Sequence, residues 1–529
     1  MKERILLLLL IGLSSCSFLD RTPQDFITES SYYKTQAHFE NALAGVYSAL
    51  AETGVYCNYM QGRMGLSADL GYNAYSIDKN TVAWNVITTT DAKISAYWKA
   101  LYRGIGRANM LLSHIDEVDG LEESEMSRIK GEAMFLRAYY YYMLAVRFGG
   151  VPLITEVPES SQADHVQIPR SSLQDVYEFI ISEMNSAADL VRPASEIVAG
   201  GVVSQSAVWG ILARVGLSMA GCPLNDPDGY VVAKKAAENV IATGLHALNP
   251  SYEQVFINLI QDQYDIKESI FEVEFWGNNE GAYTTTAGKV GVNNGIRYVG
   301  EEFATSVGTS VGTIRSTDSY FKMFEKGDLR RDWTIAPYSF DATTGEKKDW
   351  KSSQIWNRFC GKWRREYELA GDLKSVSFNS TNFPILRYSD VLLMYAEAVA
   401  CDPMSTEAEI KDGYTFLNQV RRRGFGLDYN LESPNVDIKI QGPSALLDAV
   451  KKERPRELGY ELLRKDDLVR WGEFYVTMKE LNSTVPESSS SIYIAARTAF
   501  SSVSDRDVLW PIPSYEMGLN RKLIQNEGW

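Results

Sequence analysis

Apolar positions in the first half of the chain recur at three- and four-residue spacing. In "AYWKALYRGIGRANMLLSHIDEV" they are Trp98, Leu101, Ile105, Ala108, Leu111, Leu112 and Ile115. That spacing predicts one buried stripe on a helix. "SEMSRIKGEAMFLRAYYYYMLAVRF" predicts a second helix, with Ser124 placed as its N-cap and Gly149-Gly150-Val151-Pro152 as its stop. "SSLQDVYEFIISEMNSAADLV", "SQSAVWGILARVGLSMAG" and "DGYVVAKKAAENVIATG" repeat the form, the last closed by Gly244. Helices joined by short connections predict stacked hairpins. Trp98-x-x-Leu101 echoes the opening of a tetratricopeptide unit, but the period of about 34 residues is not sustained. The expectation is a degenerate helical-repeat scaffold running from Cys16 to about Asn258.

From about 264 to 383 the helical periodicity fades. This zone is rich in Gly, Thr, Asn and Ser, and holds Trp276, Trp333, Trp350, Trp356 and Trp363. "SIFEVEFW" alternates like a short strand. Long irregular segments inside a compact body are uncommon and often functional, so these aromatics are not all expected in the core. Helical patterning returns in "YSDVLLMYAEAVA", "EAEIKDGYTFLNQVRRRG" and "PSALLDAVKKERPRELGYELLRKDDLVRWGEF".

The first residues follow a different logic. Lys2 and Arg4 precede an apolar run from Ile5 to Leu13. The run is far shorter than the roughly 20 residues that cross a bilayer, and matches an export signal. Leu13-Ser14-Ser15-Cys16 resembles a bacterial lipobox, in which the thiol is acylated and the chain is cut before it. Residues 1–15 are then the signal peptide and Cys16 the lipidated N-terminus. The alternative is a plain secretory signal with an incidental cysteine. No later stretch is long and apolar enough to span a membrane, since "VLLMYAEAVA" is short and contains Glu397.

Composition narrows the function. The net charge is -15 and the pI is near 5.0, without the basic footprint of a nucleic-acid binder. Cys57, Cys222, Cys360 and Cys401 are scattered, with no C-x-x-C pair. "GTSVG", Gly308 to Gly312, matches a nucleophile-elbow pattern. His38, His114, His165 and His246 all precede Ser310, so the order Ser, acid, His fails. No metal-binding histidine motif, P-loop or dinucleotide fingerprint occurs, and no cofactor or metal is expected. A carboxylate pair for glycoside hydrolysis meets in space and leaves no motif.

Several segments together resemble the SusD/RagB family of nutrient-binding lipoproteins of Bacteroidetes. They are "CSFLDRTP", "FLRAYYYYMLAVRFGGVPL", "IPRSSLQDVYEFIISEM", "SQSAVWGILARVGLSMAG", "FPILRYSDVLLMYAEA", "NQVRRRGFG", "ERPRELGYELLRKDDLVRWG" and "LWPIPSYEMGLNRKLIQNEGW". They occur in the family's order from end to end. Two departures stand out: Glu461-Leu462-Leu463-Arg464 replaces the usual E-G-x-R turn, and Ser389 stands where Ala is commoner. The resemblance implies an all-α, tetratricopeptide-like superhelix with an irregular loop-rich insert and minor short strands. It implies an N-terminal region over 16–230 and a C-terminal region over 264–529, the latter including the insert 264–383. It also implies a lipid-anchored protein on the outer face of the outer membrane, partnered by a SusC-like TonB-dependent transporter. The ligand it implies is a glycan, or peptide in a RagB-like branch, and it implies no catalysis.

The repeated motifs are expected to be scaffold. Arg137, Tyr140 and Tyr141 crowd several helix faces, and Trp98, Trp209, Trp471 and Trp510 sit in regular motifs. The alternating charges of "ERPRELGYELLRKDDLVRW" suit a packed ion-pair network. Glycan recognition needs flat apolar faces with polar groups close by. Two segments fit. Asp69, Tyr72, Asn73, Tyr75 and Trp84 form one candidate set, whose position resembles the family's ligand-proximal loop. Trp276, Asn278, Asn279, Tyr283, Arg297, Tyr298 and Trp333 form the other.

Overall fold

The computed structural model describes residues 32–65, 68–117, 122–158, 167–277, 286–369 and 374–529. Cys16, Asn278, Asn279 and Tyr283 lie outside the described residues.

The architecture is mostly helical. The first half contributes α1 (Gln36–Tyr47), α2 (Ala92–His114), α3 (Glu123–Phe148), α4 (Leu173–Ala188), α5 (Gln205–Ala220), α6 (Asp228–Ala242) and α7 (Tyr252–Ile260). The second half adds α8 (Tyr388–Cys401), α9 (Glu407–Gly424), α10 (Pro443–Leu458), α11 (Arg464–Arg470), α12 (Phe474–Ser483) and α13 (Ser491–Ser501). Neighbours pack as pairs: α2 on α3, α3 on α4, α5 on α6, α8 on α9. Helix α8 also packs on α5, α6 and α10, which joins the two halves.

Local chemistry sets the helix ends. Asp91 caps α2 by accepting from the Lys93 amide at 2.8 Å, and Ser172 and Asp175 form a reciprocal capping box on α4. Helix α3 begins at Glu123 after Glu122, so Ser124 lies inside the first turn and is not the cap. Glu123 and Glu125 there suit the positive end of the helix dipole. Gly149 ends α3 at φ 73°, a left-handed conformation that glycine adopts without a Cβ clash.

The crowded tyrosines of α3 are scaffold. Tyr140 donates to the Val46 carbonyl at 2.6 Å and Tyr141 to the Ile154 carbonyl at 2.9 Å. Arg137 pairs with Glu183 at 2.5 Å. Trp98 and Trp510 are buried, while Trp209 and Trp471 are partly buried against the core.

Among the described residues, three two-stranded antiparallel sheets punctuate the helices. Strand β1 (Gly71–Asn73) pairs with β3 (Ile314–Ser316), β2 (Ser269–Val273) with β6 (Phe383–Arg387), and β4 (Tyr338–Phe340) with β5 (Lys347–Asp349). The short strand read from "SIFEVEFW" is β2, and all five of its residues are buried. Glu272 is among them. Its carboxylate accepts from the Ser269 hydroxyl at 2.6 Å and the Asn382 amide at 3.1 Å. Burial pushes it up to about 7.

Helix α10 organises a buried ion network. Glu457 accepts from Arg423 at 2.6 Å, Arg387 at 2.9 Å and Arg330 at 3.2 Å, with all four side chains buried. Arg387 reaches Glu461 at 2.8 Å and Glu268 at 2.7 Å, and Lys362 pairs with Glu461 at 2.5 Å. On the next face Arg454 bridges Asp390 at 2.7 Å and Asp467 at 2.8 Å, and Asp467 also holds Arg470 at 2.8 Å. Burial alone would raise the Glu457 carboxyl, but Arg423, Arg387 and Arg330 outweigh it and hold the group well below its usual range. Burial pulls Lys362 down to about 8.

The departure at the E-G-x-R turn has a backbone consequence. Leu462 occupies φ 70°, and Tyr460 φ 65°. Glycine takes this region freely, whereas a residue with a Cβ gives up about 1–2 kcal/mol. The Leu462 side chain is 7 % exposed and joins the main core, which offsets that strain.

Glu457→Gln should lower the unfolding free energy at pH 7 by about 3–5 kcal/mol, the cost of leaving buried partners unpaired. Because the native carboxyl is depressed, its contribution is present above the unfolded value of about 4.3 and is lost as pH falls through the folded value. Urea unfolding at pH 7 and again below pH 4 checks both the size of the gap and its narrowing in acid.

Candidate functional site

The proposed ligand residues fall into three groups. Most are buried. Tyr72 is packed among Trp356, Phe500 and the α11–α13 region, and its hydroxyl donates to the Trp356 carbonyl at 2.8 Å. Trp84 belongs to the same cluster and is 4 % exposed. Asp69 forms a two-point pair with Arg464, at 2.8 and 2.7 Å. Asn73 is buried, donates to Asp78 at 3.1 Å and accepts from the Tyr75 amide at 2.8 Å. Tyr298 is buried and accepts from the Phe303 amide at 3.1 Å. Trp333 is buried, with the Arg364 guanidinium 4.2 Å over its ring. These rings have no free face for a sugar in this structure. Trp356 and Trp363 of the loop-rich zone are buried as well.

A second group faces the surface. Tyr75 is partly exposed, with Arg63 5.0 Å over its ring, and Arg297 is exposed. The β1–β3 pairing brings their segments together. The Ala74 amide donates to the Thr313 carbonyl at 3.1 Å, and Arg297 donates to the Val311 carbonyl at 2.8 Å.

Trp276 stands apart from the other described candidates. It lies just beyond β2, 53 % exposed. Its backbone is fixed by two bonds to Thr286: the Trp276 amide donates to the Thr286 carbonyl at 2.9 Å, and the Thr286 hydroxyl donates back at 2.8 Å. Trp276 lines a cavity of about 520 Å³ between the end of α7 and residues 365–369 and 374–380. Ile260, Leu369 and Phe378 supply its other apolar surface, and Gln261, Asp262, Glu368, Lys374, Ser375 and Asn379 its polar groups. The polar wall is preorganised. Arg365 grips Glu368 at 2.7 and 3.0 Å and donates to the carbonyls of Thr309 and Ser375. Asp262 accepts from Asn382 at 2.9 Å. An apolar ring beside convergent fixed polar groups, in a volume of this order, is the usual form of a small-ligand site.

Sequence reasoning did not single out Leu369, Phe378, Glu368 or Asp262. They sit in segments without periodicity, and only folding collects them. Ser310 of "GTSVG" is buried, and its hydroxyl donates to the Val292 carbonyl at 3.1 Å, a loop-bracing role.

Two family models cover most of the chain. One, described as starch-binding and associating with the outer membrane, matches residues 17–217; the other, the SusD family, matches 267–529. The chain belongs to the SusD/RagB family. A crystal structure of a SusD homolog from Bacteroides thetaiotaomicron is similar at 26 % identity and TM-score 0.86, over 96 % of this chain and 99 % of that one. SusD-like protein P2 of Formosa agariphila is 23 % identical over 542 residues, 99 % of this chain and 97 % of that protein. A laminarin-binding SusD-like protein shares the fold at TM-score 0.70 and 23 % identity, over 94 % of this chain and all of that one. The helix pairs and the irregular insert described above are thus a SusD fold. No described helix is long and apolar enough to cross a membrane.

Trp276→Ala and Trp84→Ala separate ligand contact from packing. The first should change stability by less than about 0.5 kcal/mol, as surface substitutions do, while abolishing oligosaccharide binding. The second should cost about 3–5 kcal/mol, as removal of a buried indole does. Thermal unfolding and titration calorimetry on the same preparations read both effects.

Proposed function

We propose that this SusD/RagB protein is a cell-surface glycan-binding lipoprotein that captures oligo- or polysaccharide and passes it to a SusC-like TonB-dependent transporter. The observation that carries the reading is Trp276, a half-exposed indole on the rim of a polar-walled cavity. A sugar ring stacks its C–H face on such a ring while its hydroxyls meet the carboxylates and amides of the wall. The outer-membrane association in the family description and the laminarin binding of a structural relative support the same role.

The chemistry of the cavity suits binding rather than turnover. Glu368 is tied to Arg365, and Asp262 is bonded to Asn382. Cys16 carries the lipid anchor, so the folded body is tethered outside the membrane by its first mature residue.

Trp276 is retained as a ligand contact at the cavity, and Tyr75 and Arg297 as contacts on a second face. Asp69, Tyr72, Asn73, Trp84, Tyr298 and Trp333 act one step back. Asn73, for example, shapes the turn that presents Tyr75.

The test is titration calorimetry of the soluble chain from Ser17 against a panel of oligosaccharides and mixed peptides, with product analysis. The reading expects binding of one glycan class in the micromolar to millimolar range, without product. Peptide binding with silent sugars would move the protein to the RagB-like branch. Product release would make it an enzyme.

A further inference from the structure

The buried arginines of α9 and α10 are surrounded by carboxylates. The surface beside β3 is the opposite. Gly312 sits at φ 60°, and a Cβ there would lie 2.7 Å from the Arg297 Cβ and 2.8 Å from the Phe359 ring. Its bare backbone lets both close in. The Arg315 guanidinium lies 4.5 Å over the same Phe359 ring. Arg297 and Phe359 thus close on Gly312 together, with Arg315 stacked on the same ring.

Among the described residues, the hydrogen bonds of both guanidiniums go to carbonyls alone. Arg297 donates to the Val311 carbonyl and Arg315 to the Asn357 carbonyl, each at 2.8 Å. The Arg315 Nε is buried without a hydrogen-bond partner. Among the described residues neither makes an ion pair with a carboxylate. Arg63 joins them, donating to the Thr313 hydroxyl at 3.2 Å. Arg63 and Lys93 share a single acid, Asp78, at 3.0 and 3.4 Å. Asp78 thus answers Arg63 and Lys93, and among the described residues no carboxylate pairs with Arg297 or Arg315, on a chain whose net charge is -15. Burial, with Arg297 adding to it, holds the Arg315 proton less tightly than usual, as expected of a desolvated cation without a counterion.

We infer that this face binds the carboxylate or sulfate-ester groups of an acidic polysaccharide. The inference rests on the glycan reading and adds the charge class of the ligand. Guanidinium forks match both planar carboxylates and sulfate oxygens through paired N–H donors. The partly exposed Tyr75 ring beside Arg63 offers an apolar face to the sugar that carries the group.

The test uses the chain from Ser17 and three probes of matched length: neutral laminarihexaose, hexagalacturonate and a sulfated carrageenan hexamer. Titrations run at about 50 and about 300 mM NaCl, which shortens the screening length about 2.4-fold. At least one acidic probe should bind about tenfold or more tighter than the neutral one and weaken with salt, as a contact through charge-assisted hydrogen bonds requires. The uronate and sulfate arms identify the group. The double variant Arg297→Gln, Arg315→Gln should lose that preference. Because Arg315 packs on Phe359, Arg297→Gln alone is the control at an exposed position, and it should weaken acidic binding with an unchanged melting temperature. Equal or tighter binding of the neutral probe, or indifference to salt and to Arg297→Gln, overturns the inference while leaving the glycan reading intact. Silence of all three probes, and of the wider oligosaccharide panel, overturns both.

Discussion

The Glu457 carboxylate is the point on which the scaffold converges. It sits on α10 and takes bonds from Arg423 on α9, Arg387 at the end of β6, and Arg330 of the short helical turn Arg330–Thr334. Three elements far apart in sequence are pinned to one carboxyl. Desolvating so many charges makes the net gain in stability modest, but leaving any one partner alone is costly. A network of this kind fixes which helix meets which, more than how tightly they hold. Lys362, drawn in from the insert to Glu461 at 2.5 Å, extends the constraint from the helical body to the loops above it.

That connection explains why the loop-rich zone is ordered without regular structure. Its tryptophans are mostly interior: Trp363 is fully buried and packs on Phe256 and Phe383, and Trp333 lies under Arg364. Once those rings anchor the loops, the remaining surface can display what the core does not use. Trp276 at the end of β2 and the Tyr75–Arg297 face beside β3 are such surfaces.

The helices, their order and the ion-pair role of "ERPRELGYELLRKDDLVRW" were legible in the sequence, because periodicity and charge alternation are local. Tyr72 and Trp84 were misread as surface rings for a non-local reason. Strand β1 pairs with β3, more than 240 residues later in the chain, and helices α11–α13 close over the pair. Nothing near residue 72 signals that cover. The turn at Leu462 shows the same limit from the other side. The missing glycine was visible, but only the backbone shows that leucine keeps the left-handed turn and buries its side chain in exchange. Trp276 was legible as a surface ring because its segment lacks any periodicity that would bury it, and it is half-exposed, whereas Phe378 and Leu369 gave no signal.

The central claim is that recognisable motifs build the scaffold, and that the insert, with the β1 segment paired to it, carries the ligand. Hydrogen exchange with and without the best-binding oligosaccharide tests it most directly. The account predicts that α8 and α10 exchange slowest in both states, and that ligand slows amides only around Trp276 and residues 73–75 and 311–315. Ligand-dependent protection centred on α3 or α10, with the insert unchanged, would contradict it.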